Sequence, residues 1–160
     1  MQHVPDVRTS RELLRAVFDI LQTQCLTSAA LASNVAAVQS GASFAVIVAG
    51  TLYVFPSATA MAALTGAAVP NSGSIATVWA FTCSSAGVLG VIQGGTGASV
   101  GACTLPAIPD NTVVIGYLFL SNASAGSFTP GTTSLATAGL TLNYVNTVSP
   151  FYPISLFGGQ

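Results

Sequence analysis

Lysine is absent from this chain, and beyond Asp19 every charged side chain but Asp110 is absent too. The remaining ionised groups, Asp6, Arg8, Arg11, Glu12, Arg15 and Asp19, are all crowded near the N-terminus. Charged residues make up 4 % of the sequence, where an average soluble domain carries roughly 25 %. A free molecule with so neutral a surface tends to associate, because net and interspersed charge hold molecules apart. The body is therefore expected to be packed among other subunits. Nucleic acid is excluded as a partner, since three arginines interleaved with acids on one segment make no basic stripe.

Groups for chemistry are equally scarce. The single histidine, His3, lies at the start of the chain. General acid–base catalysis needs a histidine or paired carboxylates, and the body offers Asp110 alone. A serine nucleophile has no base to activate it, and a zinc ion would find too few ligands. Cys25, Cys83 and Cys103 are odd in number and form no CxxC pair. They are expected to be buried small hydrophobes, although Cys83 and Cys103 flank a hairpin-like region and could approach each other. Gly94-Gly-Thr-Gly97 lacks the lysine of a phosphate-binding loop and reads as a flexible tip or crossover. Asp110, beside Pro109 and Asn111, reads as a turn cap. No catalytic residue, cofactor, metal or small-molecule substrate is expected.

Long hydrophobic runs are missing too, despite a mean hydropathy of +0.72. The most apolar window, Phe44 to Phe55, is broken by Gly50-Thr51 and followed by Pro56. It falls short of the roughly 20 residues a spanning helix needs. The N-terminal apolar stripe is interleaved with Arg11, Glu12, Arg15 and Asp19, so it does not read as a signal peptide. No membrane association is expected; synthesis in the cytoplasm followed by assembly is.

What the chain does contain is organised around Asp110 to Asn122. Val113 to Leu120 is apolar at nearly every position, rich in β-branched and aromatic residues, and too short for a typical helix. A strand that does not alternate is expected to be covered on both faces, by a second sheet or by another subunit. Leu140-Thr-Leu-Asn-Tyr-Val145 alternates and should have one polar face. Phe44–Ala49 and Thr51–Phe55 form either a tight hairpin or one strand bulged at Gly50. Residues 57–68 fit loop and strand better than a helical turn. Ile75 to Cys83 is a strand with Ile75, Thr77, Trp79 and Phe81 on one face. Ser84–Gly87 turns the chain, and Val88 to Gln93 returns it. Leu105-Pro-Ala-Ile-Pro109 is an extended connector. These short strands predict a mainly β fold, an antiparallel β-sandwich.

Two flanking segments differ from this body. Thr9-Ser-Arg-Glu12 fits a capping box, and Leu13, Leu14, Val17, Phe18, Leu21 and Cys25 then fall on one helical stripe. That stripe either covers the protein's own sandwich or docks on a partner, and its pattern weakly persists through Ala29, Ala30 and Leu31. At the other end, Phe151, Tyr152, Ile154 and Phe157 lie among prolines that deny a regular central strand. They form either an edge segment or an arm laid across a neighbour. The expected partition is a tail and amphipathic helix at 1–32, a β-sandwich at 33–147 and a C-terminal arm at 148–160. The apolar residues of both flanks are the expected partner interface.

The order Leu105-Pro-x-x-Pro109, Val113-Val-Ile-Gly-Tyr117, Phe128-x-Pro-Gly-Thr-Thr133-x-Leu135 and Leu140-Thr-x-x-Tyr144 resembles virion structural proteins of tailed phages. The hairpin from Trp79 to Gly87 is similar to the same module, and the resemblance spans roughly residues 43–147. Such relatives mostly carry an acidic residue after the GTT-x-L run, where this chain has Ala136. The resemblance implies a homotrimer with a jelly-roll-like sandwich on the virion, assembled in the host cytoplasm. Two roles fit it: a capsid cement (decoration) protein bridging major capsid subunits on the capsid exterior, or a head or tail fibre contacting the host. The absence of an internal repeat or shaft favours cement.

Overall fold

The computed structural model describes residues 22–71 and 75–148. In chain order the strands are β1 (Gln24–Cys25), β2 (Leu31–Asn34), β3 (Ala37–Ser40), β4 (Phe44–Val48), β5 (Thr51–Phe55), β6 (Ala76–Ser84), β7 (Leu89–Gln93), β8 (Thr112–Asn122) and β9 (Leu140–Asn146). Among the described residues the helical content is one 3-10 turn, Val100–Ala102. The strands pair antiparallel in three sheets ordered β1-β4-β5, β2-β3 and β7-β6-β8-β9. The fold is mainly β and sandwich-like, as the sequence led one to expect. The N-terminal helix, with Leu13 through Leu21, lies outside the described residues, as does the arm from Ser149 onward.

The β body begins earlier than the expected boundary at 33. Cys25, read as the last position of the helical stripe, instead pairs with Val46, and Leu31 pairs with Ser40. Both side chains are buried, and the strand partners that bury them lie downstream, out of reach of a local helical pattern.

β4 and β5 form the tight hairpin. Ala49 and Gly50 both have positive φ, 49° and 78°, the left-handed pair that matches strand twist in a two-residue turn. The strained Ala49 is held from outside: its N–H donates to Thr23 Oγ1 (3.1 Å), and the Gly50 N–H donates to the Gln22 carbonyl (2.9 Å). Phe44, Val46 and Val48 point inward, and the Phe44 and Phe55 rings stack at 4.8 Å.

The opposing sheet is built on β6, buried at eight of its nine positions. Trp79, Phe81 and Cys83 face β4, and the indole Nε1–H of Trp79 donates to the Thr65 carbonyl at 2.9 Å. The reverse face of β6, with Ala76, Val78 and Ala80, is equally dry. The chain that follows β7 covers it. Gly94 and Gly97 hydrogen-bond in plane to Val78 and Ala76, so the glycine run prolongs the β7 edge along β6, and Thr104 and Pro106 of the connector then come up against Gly94 and Val78. A Cβ at Gly94 would stand 2.3 Å from the Thr104 carbonyl and 2.7 Å from Val78 Cγ1. Only glycine admits the connector that close.

β8 corrects the expectation drawn from its sequence. Its burial does alternate, but in two phases. Val113 and Ile115 point inward, and then Leu118, Leu120 and Asn122 do. The register against β6 shifts between Phe81 and Thr82, where Phe81 faces Gly116 and Thr82 faces Val114. The extra residue, Ile115, is a bulge that moves the inward set from one parity to the other. The run looked unbroken because it is two alternating halves out of phase. Val114, Tyr117 and Phe119 consequently point outward and are only half-buried.

Candidate association surface

The residues the sequence nominated as a partner interface, Leu13, Leu14, Val17, Phe18, Leu21, Phe151, Tyr152, Ile154 and Phe157, lie outside the described residues. The described chain starts at Gln22, whose carbonyl is held by the β4–β5 turn. It ends at Val148, next to Thr147, whose hydroxyl donates to the Val114 carbonyl (2.6 Å) and whose N–H donates to Ile115 (3.1 Å). Thr147 also reaches the Cys25 side chain. An open recess of about 670 Å³ at this end is lined by Gln22, Thr23, Ala49 and Ile108 to Thr112. The body thus releases both flanking segments near the start of β8.

Asp110 lies on the rim of that recess, exposed. It occupies the expected turn, with Asn111 at φ 53°. The hydrogen bond formed there runs from the Thr112 hydroxyl to the Asp110 backbone carbonyl (3.4 Å), so the main chain does the capping.

The three-stranded and four-stranded sheets each turn an apolar face outward. On the three-stranded sheet, β4 and β5 pair Ala45 with Val54 and Ile47 with Leu52 on the side away from the core. Leu52 is 57 % exposed and Val54 70 %. On the four-stranded sheet, Tyr117 and Phe119 lie with ring centroids 6.3 Å apart, beside Val145, which is 42 % exposed. Leu105 of the covering connector adds another exposed apolar side chain. Sequence reasoning did not single these residues out. The signal was present in Thr51-Leu-Tyr-Val-Phe55, which has no polar alternate. In β8 it was hidden by the bulge.

The cysteines are free thiols, Cys25 and Cys83 buried and Cys103 half-buried. Burial pushes all three up from the usual thiol range, which favours the protonated thiol over the thiolate. Burial likewise pushes the Tyr144 phenol up. Its hydroxyl lies near Ser33 but completes no hydrogen bond.

Among the described residues no three histidine, cysteine or acidic side chains gather as a metal site, and no helix is long and apolar enough to cross a membrane. What the arrangement offers is apolar contact area, uncharged and on both outer faces. No known protein family, curated protein or solved structure matches the chain.

Proposed function

We propose that this protein is a non-enzymatic structural subunit of a tailed-phage virion, a cement protein that bridges major capsid subunits on the capsid exterior. In this reading its sandwich is jelly-roll-like, three copies form a knob, and the protein is made in the host cytoplasm before assembly. The observation that carries the proposal is the described surface: Asp110 is its one charged side chain, while Leu52, Val54 and Val145 are exposed. Buried apolar area would supply the attachment, at about 25 cal/mol per Å² as an upper value. The Leu13–Leu21 stripe and the Phe151–Phe157 arm, leaving the body near one recess, would grip the capsid.

Virions lacking the protein test this directly. Loss of heat or osmotic resistance with normal adsorption to cells supports cement. Robust particles that fail to adsorb would make it a fibre or receptor-binding protein instead. Phe18→Asp should abolish incorporation into particles while leaving the body folded. A variant that incorporates normally but melts earlier would place the stripe on the protein's own core.

A further inference from the structure

The three-stranded sheet ends on β5, and among the described residues nothing pairs with that edge. The two-residue turn at Ala49-Gly50 makes Val48 and Thr51 a hydrogen-bonded pair, and with them Val46–Tyr53 and Phe44–Phe55. The N–H and C=O groups of Leu52 and Val54 therefore point away from β4. Their side chains are exposed as well. Free-standing sheets guard such an edge with lysine, proline, a bulge or a covering loop. Thr51-Leu-Tyr-Val-Phe55 contains no lysine or proline, and its pairing with β4 runs without a register shift.

The outer strands of the four-stranded sheet are better defended. The Gln93 side chain at the end of β7 is clasped by Ala67, accepting from its N–H (2.6 Å) and donating to its carbonyl (2.9 Å). The β9 edge carries β2 beside it, with the Leu31 N–H donating to Asn146 Oδ1 at 2.9 Å. β5 is also preformed. The Tyr53 ring is fixed on the inner side, its hydroxyl donating to the Ser85 carbonyl at 2.6 Å.

We infer that β5 is a homotypic contact, pairing antiparallel with β5 of a second copy about a two-fold axis through Tyr53. In that register Leu52 of each copy faces Val54 of the other, and all the outward backbone groups of both residues are satisfied. The apolar row of Ala45, Ile47, Leu52 and Val54 continues unbroken across the seam. An occupant must offer free backbone groups at alternate residues and apolar side chains on the matching face. β5 meets its own requirement, because the pattern is symmetric about Tyr53 and no like charges oppose. The contact is isologous and closes on itself. It stands independently of the virion reading; combined with a three-fold contact it would close a hexamer or propagate a net.

The test is the solution mass of the full chain, by sedimentation, beside three variants. The wild type should contain an even number of copies. Val54→Pro removes an outward N–H without costing the protomer's own sheet a hydrogen bond, and should halve the mass. Val54→Lys should do the same by placing a charge at the seam. Leu52→Cys combined with Val54→Cys should give a covalent dimer on mild oxidation. Trp79 fluorescence and circular dichroism check folding, and where the proline variant unfolds the lysine variant decides. An odd-numbered wild type, or variants of unchanged mass, would overturn the inference. So would a mass that falls on removing residues 149–160 but not with Val54→Lys, which assigns the contact to the arm.

Discussion

The Phe128 and Trp79 rings meet in a T-shaped contact, with centroids 5.9 Å apart and planes inclined at 69°. Both side chains are fully buried, and Phe128 is anchored by paired backbone hydrogen bonds with Val69, 2.9 Å each way. This contact seats the Phe128–Thr133 turn on the central strand of the larger sheet. Phe128→Ala should cost about 3–5 kcal/mol, with an edge-to-face contribution of about 0.5–1.5 kcal/mol beyond area. Urea unfolding followed by the emission of Trp79, the sole tryptophan, reads the change. A loss below about 1 kcal/mol would mean the ring does not close the core.

Asn122 is the polar counterpart of that anchor. Fully buried, it donates to the Val69 (2.9 Å) and Gly126 (3.0 Å) carbonyls and accepts from the Ser124 N–H (3.0 Å) and hydroxyl (2.6 Å). Asn122→Ala strands those partners, and buried groups left unpaired cost about 1–3 kcal/mol each. Asn122→Asp puts a carboxylate against two carbonyl oxygens, which raises its folded pKa above the unfolded value. Stability in that variant should be retained at low pH and lost as pH rises through the folded pKa. A variant equally stable at pH 3 and pH 8 would contradict this geometry.

Alkaline pH should unfold the wild type by the same linkage. Cys25, Cys83 and Cys103 are raised by burial from 9.0, and Tyr144 from 10.0. All four are neutral when protonated, so the unfolded chain sheds their protons first. Stability should be full below about pH 9 and fall as pH climbs through the folded-state values. Urea midpoints at pH 8 and pH 10.5, in reductant, measure the fall. Tyr144→Phe should lessen it and should cost nothing at pH 7, because the hydroxyl it removes is buried without a partner.

Thiol labelling should be graded by position. Cys103, half-buried in the connector with its Sγ–H on the Ser99 carbonyl (3.5 Å), should react first with a disulfide reagent. Cys25 and Cys83 should wait for unfolding. Mass spectrometry of partly labelled protein distinguishes the sites, and early modification of Cys83 would contradict its place in β6.

Composition by itself determined much of this protein. Short β-branched runs between glycine, proline and serine clusters dictate strands and turns, because those preferences act over a few residues. The two apolar runs on either side of Gly50, the Ile75–Cys83 strand and the near-absence of charge on the body were all legible there, while pairing decided that the two runs form a hairpin. Tertiary structure alone decided the faces. The bulge at Ile115 reverses which side of β8 is dry, and it depends on pairing with β6, more than thirty residues upstream. The connector that dries the back of Val78 and the downstream partners that turn Cys25 and Leu31 into strand are likewise long-range. The edge position of β5 became visible only once pairing showed which of its backbone groups find no partner among the described residues. Local propensity sets what a segment can form; which side of it meets water depends on neighbours that sequence spacing does not reveal.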